Sequence, residues 1–206
     1  MGGDEMKRII AACISTIMVA CVSISAAADD PIGTYDSWKP DLKEYTSQVC
    51  DEYDVDYSLA LGVIYNESRF KSGLTHMNSN GTIDYGLMQV NEVNFKYLNK
   101  TLGITSMNQL LDDRVGIRCG VHLLAYHKNA TGNDSAALLR YQVGEGTYRK
   151  YVKNGKHTND IHGRVWQYRD IYHEYLNQTI AESKLDGFAK RDPIESILNT
   201  WAEMLT

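Results

Sequence analysis

A mainly α-helical fold is predicted for this chain, and three observations predict it. Apolar residues recur at spacings of three and four through most of the sequence. Strand-like alternation is scarce. Asp, Asn and Gly stand where the helical stretches should begin and end. With 206 residues, 43% of them hydrophobic, the chain is long enough for one domain with a core and short appendages.

Residues 29–41 contain Pro31, Gly33 and Pro40 and read as a short extended leader to a domain spanning 42–178. Leu42 to Glu52 is predicted helical, with Leu42, Tyr45, Val49 and Cys50 inward. Asp54 or Asp56 caps a second helix that runs to about Phe70. On it Leu59, Val63, Glu67 and Phe70 share one face, widened by Ala60, Gly62 and Ile64. Residues 71–85 are polar, Asn78-Ser79-Asn80-Gly81 is a strong turn signal, and a small hairpin fits near 74–90. A short apolar segment, Gly86 to Val90, precedes a helix over Val93 to Leu98.

Asp112 or Asp113 starts a long helix with Val115, Cys119, His122 or Leu123, and Tyr126 on one face, and Gly132 stops it. Asn133 or Asp134 caps a short helix through Tyr141, after which Gly144-Glu145-Gly146 should force a loop. Thr158 or Asp160 opens the next helix, with Val165, Tyr168, Ile171, Tyr172 and Tyr175 inward. The remainder, 179–206, reads as a polar linker around Lys184 to Arg191 and an amphipathic helix starting at Asp192-Pro193-Ile194-Glu195. Its apolar face of Ile194, Ile197, Leu198, Trp201, Met204 and Leu205 suits docking on its own domain more than a membrane surface.

Residues 1–28 have the pattern of an export signal. Lys7 and Arg8 precede an apolar run from Ile9 to Ile24, and Ala26-Ala27-Ala28 offers a cleavage site before Asp29. The expected product is exported: secreted, periplasmic or wall-associated, with no integral membrane domain after cleavage. A weaker alternative is a lipid-anchored Cys21, from Met18-Val19-Ala20-Cys21. Cleavage leaves Cys50 and Cys119, which in an oxidising compartment can form one disulfide or stay as two buried thiols. The six histidines show no ligand spacing, so neither a metal nor another cofactor is expected. A net charge of −5 argues against a nucleic-acid partner. Fourteen tyrosines against three phenylalanines supply flat apolar faces with polar tips, useful against sugars, though each one singly suits packing at the core's edge.

Glu67 is the most informative residue. A carboxyl on a helix stripe is partly desolvated, which raises its pKa, and a carboxyl still protonated near neutral pH can donate to a leaving group. Pairing with Arg69 or Lys71 at the stripe's edge is the plainer reading. The motif order favours chemistry. Ile64-Tyr65-Asn66-Glu67-Ser68-Arg69-Phe70 resembles the Glu-Ser motif of lytic transglycosylases with the goose-lysozyme-like SLT fold. Asn78-Ser79-Asn80-Gly81-Thr82-Ile83-Asp84-Tyr85-Gly86-Leu87-Met88-Gln89-Val90-Asn91 is similar to that family's second motif, in the form associated with secretion and conjugation systems. Leu139-Arg140-Tyr141-Gln142-Val143-Gly144-Glu145-Gly146 sits where the family has A-Y-N-x-G-x-G, with Gln142 for the usual Asn, and with Arg140 for a small residue, which would add a charge at the cleft.

The resemblance, over about 42–176, implies a lysozyme-like helical domain with a loop or hairpin region beside the cleft. It implies cleavage of the β-1,4 bond between N-acetylmuramic acid and N-acetylglucosamine in peptidoglycan, with a 1,6-anhydromuramic product and Glu67 as the single acid/base. Most glycosidases use two carboxylates. Here the tethered 6-hydroxyl replaces water, and its effective concentration is high. Substrate-binding roles would fall to Ser68, Gly86, Met88, Gln89, Asn91, Tyr141 and Gln142. Ser68 can bond the acetamido group or its own helix. Gly86 would admit the sugar to the backbone, Met88 would give a pliable wall, and Tyr141 would orient Glu67. Asp84 is expected to order its loop; were it to position a water, the enzyme would be a hydrolytic muramidase. A non-catalytic wall-binding or secretion-assembly module is a third reading, and a conjugation or secretion apparatus is a partner by analogy only.

Overall fold

The computed structural model describes residues 29–154 and 163–189; the expected signal at 1–28 and the tail helix at 192–205 lie outside them. The domain is mainly helical, as predicted. Its elements are α1 (Pro31–Asp36), α2 (Pro40–Tyr53), α3 (Tyr57–Ser68), α4 (Phe95–Leu102), α5 (Asp113–Thr131), α6 (Asp134–Lys153) and α7 (Gly163–Ala189). Three short strands, β1 (Thr75–Met77), β2 (Ile83–Tyr85) and β3 (Val90–Asn91), form an antiparallel sheet in sequence order. β2 pairs His76 with Asp84 on one side and Asp84 with Asn91 on the other. The hairpin expected near 74–90 is thus present, extended by a third strand.

Helix α3 is the centre of the core. Leu59, Ala60, Leu61, Val63, Ile64 and Tyr65 are all buried, so this helix is apolar nearly all round, as a fully enclosed helix must be. Asp56 caps it by accepting from the Ser58 amide. It ends at Ser68, two residues before the predicted end, because Arg69 and Phe70 both take left-handed backbone angles. The turn sends Phe70 back into the core, 4.6 Å from Trp38 by ring centres. Arg69 bonds the Tyr65 carbonyl and covers the Tyr65 ring, supplying a cation and donors where the helix carbonyls end.

Helix α7 lies against α3, and Gly62 permits the approach: a Cβ there would stand 2.9 Å from the Val165 carbonyl oxygen. Val165, Tyr168 and Tyr172 are buried as predicted, whereas Ile171 is 38% exposed, one position round the helix from the buried stripe. The polar stretch expected to be a linker from Lys184 is still helical to Ala189. The leader is corrected too. Residues 31–36 are helical, and Tyr35 and Trp38 are buried in the core with Phe70 and Tyr172.

Asp112 caps α5 with two amide bonds, and Gly132 closes it in the left-handed region. Its buried face is Ile117, Gly120, Val121 and Leu124 beside Cys119 and Leu123; Tyr126 is 40% exposed, contrary to expectation. Asn133 caps α6, which does not end at Tyr141. A single residue, Gly144 (φ 73°, ψ 160°), kinks it, and the helix resumes to Lys153 where a loop was predicted. Cys50 and Cys119 are both buried free thiols, so the disulfide alternative is not realised; burial pushes each thiol up to about 12.

Candidate active site

Glu67 lies on the last turn of α3 and opens into a cleft of about 800 Å³. Asp84 and Asn91 of the sheet and Gln89 of the turn before β3 form one side, and Tyr141 and Gln142 of α6 form another. Burial raises the Glu67 pKa above the usual carboxylate range. Hydrogen bonds from Asn66 (3.0 Å) and Gln142 act against that rise, Asp84 adds to it by like charge, and Arg69 opposes it from a distance. The carboxyl is therefore held by two amides, with burial favouring its neutral form. Gln142, despite its extra methylene relative to the resembled Asn, reaches Glu67.

Asp84 is tied down on both oxygens, accepting Asn78 Nδ2 at 2.9 Å and Asn91 Nδ2 at 2.6 Å. Asn91 also bonds Thr82 and caps the turn after β3 through the Val93 amide. These bonds tie Asp84 to the Asn78 turn and to β3. Gln89 takes a left-handed backbone (φ 47°) and donates to the Gly86 carbonyl at 2.7 Å while lining the cleft.

Four expected site residues do other work. Ser68 is buried and donates to the Ile64 carbonyl at 3.0 Å, so it serves its own helix. Gly86 does not line the cleft: a Cβ there would fall 2.1 Å from the Leu110 carbonyl oxygen, and the residue's φ is +74°. Its smallness lets the turn press on the segment before α5, not on a sugar. Met88 is fully enclosed, and its side chain fills the space over Gly120. Tyr141 donates to the Met88 carbonyl at 2.7 Å instead of to Glu67. Its phenol, raised well above the usual value by burial and by the nearby Glu67 and Asp84, joins α6 to the motif turn.

The cleft also includes Arg140 and Glu145, on the motif segment expected to border it, and Asn78, Tyr97, Tyr126 and His127, which sequence reasoning did not place there. Asn78 had a signal, the turn motif itself. Tyr126 had a misleading one, since periodicity put it in the core. Burial and the neighbouring Arg140 push the His127 pKa down to about 4, so that ring is neutral at ordinary pH.

A carboxyl at a helix end, facing a small sheet and a Tyr-Gln pair across a cleft, defines a lysozyme-like domain of the lytic-transglycosylase type. Residues 44–163 match the transglycosylase SLT domain family, and the chain belongs to it. IpgF of Shigella flexneri is 26% identical over 134 residues, covering 65% of this chain and 80% of that protein. The invasion protein IagB of Salmonella typhimurium is 27% identical over 101 residues, 49% of this chain and 62% of that one. An inactive mutant of lytic transglycosylase Slt from Pseudomonas aeruginosa superposes with a TM-score of 0.55 at 24% identity, over 65% of this chain. That likeness concerns the fold, and the chain spans about a quarter (24%) of Slt.

Proposed function

We propose that this protein is a peptidoglycan lytic transglycosylase with Glu67 as its single acid/base. The observation that carries the reading is the Glu67 carboxyl, lining the cleft with its pKa raised by burial. Neutral Glu67 gives its proton to the oxygen between N-acetylmuramic acid and N-acetylglucosamine. The substrate's N-acetyl group stabilises the cationic centre as the bond breaks. The Glu67 carboxylate, favoured by the Asn66 and Gln142 amides, then takes the proton of the muramyl 6-hydroxyl, and the 1,6-anhydro ring closes. Gln89 and Gln142 offer the sugar amides and hydroxyls their hydrogen bonds, while Asn91, whose amide is engaged by Thr82, Asp84 and the Val93 amide, orders that wall of the cleft. Asp84, occupied by two amides, supports ring closure over hydrolysis.

The test is mass spectrometry of fragments released from purified peptidoglycan. Wild-type protein is expected to yield 1,6-anhydromuramyl ends, and Glu67→Gln to lose about 10²-fold or more of the rate. Reducing muramic ends would make the enzyme a muramidase, and undiminished release by Glu67→Gln would remove Glu67 from the mechanism.

Export through residues 1–28 belongs to this reading. The mature N-terminus is expected at Asp29, and a retained Met1 or a lipidated Cys21 would correct it. A wall-spanning secretion or conjugation apparatus is the proposed partner, by resemblance of the second motif. Cells carrying Glu67→Gln should assemble less of it; unchanged assembly would remove the partnership.

A further inference from the structure

Arg140 is a largely buried cation with most of its donors unused. It lines the cleft one residue before Tyr141, and its side chain is 13% exposed. Its Nε pairs with Glu145 Oε2, both atoms sealed from solvent, and its guanidinium lies 5.5 Å from the Tyr126 ring centre. A guanidinium carries five N–H donors in a planar fork. Among the described residues, no hydrogen-bond partner meets the two terminal nitrogens of Arg140.

The charge balance around it is incomplete. Glu145 is shared, because its other oxygen accepts Arg149 Nε at 2.5 Å. Two guanidiniums on one carboxylate leave a surplus positive charge. The other carboxyls lining the cleft are held elsewhere, Glu67 by Asn66 and Gln142 and Asp84 by Asn78 and Asn91. A largely buried guanidinium whose two terminal nitrogens have no protein partner among the described residues matches a carboxylate, which it can hold with two parallel bonds.

We infer that Arg140 is a substrate-binding residue that takes a carboxylate of the peptidoglycan strand in the cleft, with Glu145 as the internal carboxylate that substrate competes against. The inference rests on the peptidoglycan reading above. Strands carry such carboxylates on their stem peptides and, where the peptide has been removed, on the lactyl group of muramic acid. The chemistry sought is the same in both.

Binding is measured in the Glu67→Gln background, which prevents turnover. Three soluble probes are used: a peptide-bearing glycan fragment, the same fragment stripped by an amidase, and chitohexaose, which has acetamido groups but no carboxylate. Arg140→Gln is expected to weaken one or both carboxylate probes about tenfold or more and to leave chitohexaose within about twofold. The probe affected identifies the source of the carboxylate. Arg140→Lys should recover part of the loss, since it keeps the charge without the fork. Glu145→Gln, by removing the competitor, should tighten the same probe, an effect no packing defect would give. Equal weakening of all three probes, or no weakening of either carboxylate probe, would overturn the inference and leave the peptidoglycan reading intact. A parent protein that binds none of the three would overturn both.

Discussion

Glu67 concentrates the chemistry in one ionisation. Burial lifts its folded pKa above the unfolded value, so the folded protein holds that proton more tightly than the unfolded chain. The cost of burying the anion is absent below the ordinary carboxyl range, where both states are protonated, and grows as pH rises through the unfolded pKa to the folded one. Glu67→Gln should therefore melt at a higher temperature than wild type near neutral pH and at a similar one in acid. A variant that melts lower near neutral pH would show that the carboxylate is a net stabiliser. In kinetics, activity should fall as pH rises through the folded Glu67 value, along a limb displaced above the usual carboxylate range. Asp84 contributes to the rise by like charge, so Asp84→Asn should move that limb to lower pH. If the variant still makes anhydromuramyl ends, Asp84 is a tuning and ordering residue; a loss of all product with an unmoved limb would place it in the reaction.

The elements meet at glycines, and these are where substitution should hurt most. Gly86 combines a φ of +74° with backbone 2.1 Å from any added Cβ, so Gly86→Ala must strain the turn and push away the segment carrying Leu110. A loss above about 3 kcal/mol is expected in denaturant unfolding. Gly62→Ala meets the α7 backbone at 2.9–3.0 Å and should cost about 1–3 kcal/mol by parting α3 from α7. At Gly120 an added methyl meets Met88 at its Sδ and Cβ, and Met88 holds the carbonyl that receives Tyr141. Gly120→Ala should thus lower activity as well as stability, because the displaced turn carries Gln89 and Asn91 with it. Unchanged unfolding midpoints in these variants would show that the contacts relax more freely than close packing implies.

Across the molecule, the family match ends at residue 163, where α7 begins. Yet α7 completes the core: Val165, Tyr168 and Tyr172 are buried, and the Tyr172 hydroxyl donates to the Pro31 carbonyl, joining the ends of the domain. A chain ended at residue 162 should lose its cooperative thermal transition, because α3 would expose the face that α7 covers. The same chain melting as sharply as the full one would show that α7 is an appendage. Removing residues 31–38 should cost several kcal/mol for the lost burial of Tyr35 and Trp38, read as a lower denaturant midpoint.

Much of this was legible in the sequence. Helix periodicity and caps located α2, α3, α5 and the start of α6, because Asp56, Asp112 and Asn133 act on amides two or three residues away. The order of motifs pointed to Glu67, the sheet turn and the Tyr-Gln pair as one site. What local pattern could not supply is which neighbour each side chain meets. Ser68, Gly86 and Met88 carry the right motif but face the helix, a carbonyl and the core, since burial depends on elements far away in the chain. The short leader became core because Phe70 turned back to meet it. Arg140 was legible as a charge at the cleft, but its pairing with Glu145, across the Gly144 kink in α6, was not. Propensity and capping act within a few residues, so the sequence alone determines the capped helix starts and the motif order, but not α1 or how far α6 and α7 run. Packing and charge pairing act across the fold, and they decide which of those residues face the substrate.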